Sequence, residues 1–144
     1  MKDTWQLPLK SRLKRWRELR KEIVEISNIE KQLRVVIDFW KTTPLGTGAI
    51  DPYNESTWPN PWDLLNTNNY DENVVGLCIA YTLHYSDIPC RILLVQNVEN
   101  NEIKLIVLVD DLHILNYNYD TVDTKEVMQE FNVLNNIDVS ALVK

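Results

Sequence analysis

Residues 71–98, DENVVGLCIAYTLHYSDIPCRILLVQNV, change their hydrophobic rhythm once, and that change decides the fold. Up to Tyr85 the apolar residues Val74, Val75, Leu77, Cys78, Ile79, Ala80, Tyr81 and Leu83 cover nearly every side of a helix. A helix apolar all round is buried on most faces, so 71–85 is expected as the central helix, opened by Asn69 or Asp71. Gly76 within it costs about 1 kcal/mol relative to Ala, which close packing against a neighbour would offset. After SDIP the pattern shifts to short β-rich runs: 90–98, 103–109 and 112–118, separated by ENNE and by Asp110-Asp111. Turns this tight predict an antiparallel meander of three strands.

Working outward, Leu13, Trp16, Leu19, Ile23 and Ile26 recur at helical spacing, predicting a helix over 12–26 behind a Ser11 cap. Ser27 and Glu30 have capping-box spacing and open a second helix, 28–41, with Ile29, Leu33, Val36, Ile37 and Trp40 inward. Thr42 to Pro44 end it. The connection 42–60 is long for a compact domain, and such segments are functional or clamped by their own side chains. Within STWPNPWDLL (56–65), Asn60 can cap a short helix with Pro61 at its first position. Its bulky residues serve either as a latch on the core or as an exposed recognition patch. The tail predicts a helix over 124–131, then a loop and a short element. Helices first and strands afterwards give an α+β class, with N-terminal helices and a buried central helix on a small antiparallel meander. The expected organisation is a single domain, 1–144: a basic helical part (10–41), an irregular aromatic loop (42–66), the central helix with its sheet (70–118) and a tail (119–144).

With 144 residues the chain fits one core. No apolar run approaches a membrane span, and MKDTWQLPLKSRLKRW lacks the apolar stretch of a secretory signal, so no membrane partner is expected. Two cysteines, Cys78 and Cys90, do not make a disulfide framework. The net charge of −6 hides an asymmetry: residues 1–41 carry 11 Lys and Arg against 6 Asp and Glu, whereas 42–144 carry 4 against 15. The basic part is expected to meet an acidic surface, through Lys10, Arg12, Lys14, Arg15, Arg17, Arg20 and Lys21, with Trp58 and Trp62 of the aromatic loop. The acidic remainder places nucleic acid behind protein as the partner.

A buried helix with a cysteine, then IPCR, then an antiparallel sheet resembles the core of transglutaminase-like cysteine enzymes. That resemblance implies a Cys at the start of the central helix, a His at the start of the second strand and an Asp on the third. Ile88-Pro89-Cys90-Arg91 matches the opening of the first strand. The second strand instead begins Ile103-Lys104, and the third carries Asn116 or Asn118. Cys78 lies roughly in the nucleophile region, but two turns into the helix, beyond the first-turn reach of the dipole. Its apolar neighbours raise a thiol pKa, which makes it packing. The rival reading pairs it with His113: alternation puts His113, Leu115 and Tyr117 on one face of the third strand, and that face could meet the central helix. Cys78, His84, Cys90 and His113 lack the spacing of a zinc site, and Gly46-Thr47-Gly48 lacks the glycine and lysine of a phosphate loop. Neither metal nor cofactor is expected.

Trp58 to Leu65, Tyr81-Thr82-Leu83 and Leu115-Asn116-Tyr117 also resemble small proteins of T4-like phages of marine bacteria, over roughly 12–118. This likeness implies a phage-encoded virion protein, made in the host cytoplasm. The resulting expectation is a non-enzymatic assembly protein of a neck, tail or baseplate, a degenerate transglutaminase-like core that binds other virion proteins. No residue is assigned a catalytic role in it. The alternatives are a cysteine hydrolase or acyltransferase using Cys78 and His113, and a nucleic-acid-binding accessory protein.

Overall fold

The computed structural model describes residues 3–143. Its first helix, α1 (Leu9–Glu25), starts earlier than the pattern predicts. Pro8, with φ −65° and ψ 161°, turns the chain, and its carbonyl accepts from the N–H groups of Ser11 and Arg12 at 3.0 Å each. Ser11 therefore lies inside the first turn. The next helix, α2 (Ile29–Trp40), is capped by Asn28, whose side chain accepts from Lys31 N at 3.1 Å. The Ser27–Glu30 box fails by one residue, because the adjacent asparagine caps as well as serine does. Leu33, Val36, Ile37 and Trp40 of α2 are buried.

A short helix, α3 (Pro61–Thr67), begins as its sequence dictates: Asn60 accepts from Asp63 N at 2.8 Å and Pro61 occupies the first turn. It ends on Asn68 in the left-handed conformation, φ 52°. The central helix, α4 (Glu72–Tyr85), is capped by Asp71, which accepts from Val74 N at 2.7 Å, and every residue from Val74 to Leu83 is buried.

The strands β1 (Cys90–Asn97), β2 (Ile103–Val109) and β3 (His113–Leu115) form the expected meander. Two more come from the tail. Residues Val122–Thr124 form β4 against β3, and Phe131–Asp138 form β5 against β1, giving a five-stranded antiparallel sheet of order β4-β3-β2-β1-β5. The helix predicted over 124–131 is instead a 3₁₀ segment at Lys125–Glu130 running into β5. Thr124 pairs with His113 on β3 and Phe131 with Asn97 on β1, so both ends of TKEVMQEF are held in the sheet and only the residues between them turn. As an edge strand with mostly exposed side chains, β5 lacks the apolar alternation that marks β1 and β2 in the sequence.

The sheet separates two apolar layers. Ile92, Leu94, Leu105, Val107 and Leu115 face the helices, whereas Leu93, Val95, Ile106 and Ile114 face the other way, where Val127, Met128 and Phe131 cover them. One hydroxyl ties the helices together: Thr82 Oγ1 on α4 accepts from Trp16 Nε1 of α1 at 2.9 Å and Trp40 Nε1 of α2 at 3.0 Å, and donates to Cys78 O at 2.7 Å. The long connection is clamped as well. Trp58 Nε1 donates to Asp51 O at 2.6 Å, Tyr81 OH to Pro59 O at 3.0 Å, and Gly46 N to Tyr70 O at 2.7 Å. Within STWPNPWDLL, Trp58, Pro61, Leu64 and Leu65 are buried, which makes the segment chiefly a latch.

Candidate active site

Three separated pieces of chain meet at the N-terminal end of α4. Glu72 and Asn73 come from its first turn, Lys104 and Leu105 from the start of β2, and Asn116 from the residue after β3. Asn73 Oδ1 accepts from Leu105 N at 3.0 Å. Asn116 Nδ2 donates to Glu72 O at 2.9 Å and Leu105 O at 2.8 Å. Asn116 reaches them because its backbone is left-handed, φ 68°, a conformation asparagine tolerates. The strict alternation predicted for 112–117 breaks there, and Tyr117 packs against Phe131, with ring centroids 5.9 Å apart. The close approach also explains Gly76: a Cβ there would lie 2.7 Å from Asn116 Nδ2 and 3.0 Å from Leu105 O.

The junction borders a cleft of about 210 Å³ lined by Glu72, Glu102, Lys104, Tyr117, Asn118 and Glu130, among others. Lys104 Nζ donates to Tyr117 O, and Tyr117 OH donates to Glu130 Oε2 at 2.6 Å. That bond to Glu130 raises the Tyr117 pKa above its ordinary value. Glu72 is exposed at the positive end of the helix dipole, a position that favours a carboxylate.

These are the start of the central helix, the start of the second strand and the end of the third, the three places where the transglutaminase-like resemblance sets its Cys, His and Asp. Here they carry Glu72 with Asn73, Lys104 and Asn116. Cys78 lies elsewhere: it is 2% exposed, and burial alone pushes its thiol well above the ordinary range, with no imidazole acting on it. His113 is buried at the start of β3, level with Val109 on β2 and Thr124 on β4. Burial thus works against the thiolate that a Cys78–His113 pair needs, and no hydrogen bond joins the two among the described residues. A larger hollow of about 510 Å³, lined in part by Asp87, Cys90, Arg91, Asp110 and Asp138, lies by the other end of β1. Cys90 Sγ points to Ala80 O at 3.5 Å, and burial, then the nearby Asp138, pushes its thiol up to about 12.

The residues expected at a contact surface divide. Arg12 and Trp58 are inside, 7% and 8% exposed. Arg12 is a structural tie, with Nε donating to Leu65 O at 3.0 Å and Nη1 to Leu7 O at 2.5 Å. Arg15 Nη1 donates to Thr4 Oγ1 at 3.1 Å, and Arg20 lies over Trp16 with Cζ 4.1 Å from the ring centroid. Lys10, Lys14, Arg17 and Lys21 are exposed, as is Trp62 at 44%.

No family model and no curated protein matches the sequence. Solved structures do match in fold. The calcium-bound LapG of Legionella pneumophila superimposes with a TM-score of 0.73 at 15% identity, covering 92% of this chain and 77% of LapG. Another LapG structure gives 0.72 at 14% identity, covering 91% and 75%, and the EGTA-treated form gives 0.71 at 14%, covering 91% and 74%. At this identity the likeness is one of fold alone, the transglutaminase-like fold of LapG. This corrects the expectation of a non-enzymatic virion assembly protein: these solved structures, which share the fold over more than nine-tenths of this chain, are of LapG, not of a virion component. A LapG structure holds calcium, but among the described residues of this chain no group of three or more His, Cys, Asp or Glu side chains is placed to hold a metal.

Proposed function

We propose that this chain is a hydrolase or acyltransferase of the transglutaminase-like fold, working on amide or ester carbonyls of polypeptide-type substrates in the cleft at the start of α4. The observation that supports it is the convergence of the helix start, the β2 start and the β3 end on one polar cleft. In this reading Glu72 takes the place of the thiol as an acid–base group. Its carboxylate accepts a proton from water as the water oxygen attacks the carbonyl carbon, and returns it to the departing amine or alcohol. Lys104 balances the charge that develops on the carbonyl oxygen. Asn73 and Asn116 are positioning residues that lock the three segments together. Cys78 takes no part. A phage origin rests on the motif likeness of Trp58–Leu65, Tyr81–Leu83 and Leu115–Tyr117, and carries none of this argument.

The test is turnover of nitrophenyl esters and peptide amides by the native chain and by Glu72→Gln and Lys104→Met. The reading expects measurable kcat/KM for the native chain and a loss of kcat of about 10²–10⁴-fold in Glu72→Gln, with the folded state intact by circular dichroism. Equal rates in native chain and buffer would refute it, as would full activity in Glu72→Gln.

A further inference from the structure

One surface feature lies far from that cleft. Lys10, Lys14, Arg17 and Lys21 follow one another along α1 at intervals of four, three and four residues, so they share one face. All four are exposed, and none takes part in the ion pairs seen among the described residues. At 1.5 Å per residue the row spans about 16 Å. Like charges at these spacings destabilise an isolated helix by a few tenths of a kcal/mol per pair. Lys10, Lys14 and Arg17 line a groove of about 660 Å³ whose apolar wall is Leu13, Trp16 and Trp62, and Lys21 lines the hollow that continues it past Arg17. Trp62 is held edge-to-face by Trp16 at 5.7 Å and by Tyr85 at 5.3 Å, yet is 44% exposed. The groove is thus a line of cations beside a partly exposed indole.

We infer that this groove binds single-stranded nucleic acid, with phosphates along Lys10, Lys14, Arg17 and Lys21 and a base stacked on Trp62. Cations alone fit any polyanion. The accessible ring selects a ligand with flat faces to stack, and an acidic peptide has none at its charged groups. A single strand fits better than a duplex, because only an unpaired base is free to leave its neighbours for the indole. Tyr85, beside Trp62, lies at the opposite end of α4 from Glu72, about 20 Å away along the helix, so the inference stands independently of the proposed chemistry.

The experiment is a titration of the full chain with fluorescein-labelled oligothymidylate, followed by anisotropy and tryptophan quenching across a salt series. Four phosphate contacts predict a slope of log K against log salt of about −2.8. The surface double variant Lys14→Glu/Arg17→Glu should lose at least tenfold in affinity at low salt. Trp62→Ala should lose about fivefold or more while keeping the slope. No binding at low salt would overturn the inference, as would an unchanged affinity in the double variant. Polyglutamate binding as tightly as oligothymidylate, with Trp62→Ala without effect, would reassign the groove to an acidic polypeptide.

Discussion

A buried thiol keeps its proton at neutral pH, and both cysteines are buried. Native protein should therefore leave Cys78 and Cys90 unmodified by a thiol-specific disulfide reagent at pH 7.5, with both reacting once urea unfolds the chain. The same burial sets a pH dependence. Cys90 is pushed from 9.0 to about 12, and Cys78, Tyr70 and Tyr81 are also raised by burial. For such groups the unfolded chain loses its proton first. Their stabilising contribution is complete below about pH 9 and is lost as pH rises toward 12, by up to about 1.4 kcal/mol per pH unit per group. The urea midpoint should fall between pH 8 and 10, and Cys90→Ala should flatten that fall. Asn116 is the residue on which the cleft closes: Asn116→Ala removes the amide that donates to both Glu72 O and Leu105 O and should cost about 1–3 kcal/mol, read from urea denaturation. Asn116 was legible only as a substitute for an expected Asp. Its left-handed turn toward α4 was not, because positive φ depends on which partners the side chain finds.

The packed helices also share one hydroxyl, Thr82 Oγ1. Thr82→Val keeps the side-chain volume of α4 but leaves the indole N–H groups of Trp16 and Trp40 unpaired inside the core. A loss of about 2–5 kcal/mol is expected in chemical denaturation, larger than that of a typical surface substitution. Elements with strong periodicity were legible from sequence: α4 is apolar on every side, β1 and β2 are dense in Ile, Leu and Val, and Asn60-Pro61 marks the start of α3. Elements whose residues look outward were not. Most side chains of β5 are exposed, so its membership is set by the vacant edge of β1, a fact about the assembled sheet. Trp5 was missed for a similar reason. It sits in a short 3₁₀ turn without periodicity, yet is 5% exposed, packs tilted against Trp40 and edge-on to Tyr70 with centroids 5.3 Å apart in each case, and donates Nε1 to Thr42 Oγ1 at 2.9 Å.

Across the whole molecule the core sits between the two ends of α4, each beside one of the proposed sites. The N-terminal end carries the polar cleft with Glu72 and Lys104; the C-terminal end supports Trp62 and the cationic row of α1 through Tyr85. The basic helix was visible in the sequence as a block of charge, but which cations are free was not. Seven were expected at the surface, and packing against α3 and the N-terminal turn claims Arg12, while Arg20 lies against Trp16. The cleft was foreshadowed by the order of helix, IPCR and strands, yet Cys78 drew attention away from it because a cysteine is the chemically conspicuous residue in that helix. The two loci can be separated in one assay. Ester and peptide-amide turnover measured side by side for the native chain, Cys78→Ala and Glu72→Gln should show Cys78→Ala within about twofold of native and Glu72→Gln reduced at least a hundredfold. Loss of activity in a folded Cys78→Ala, with Glu72→Gln unaffected, would contradict the account.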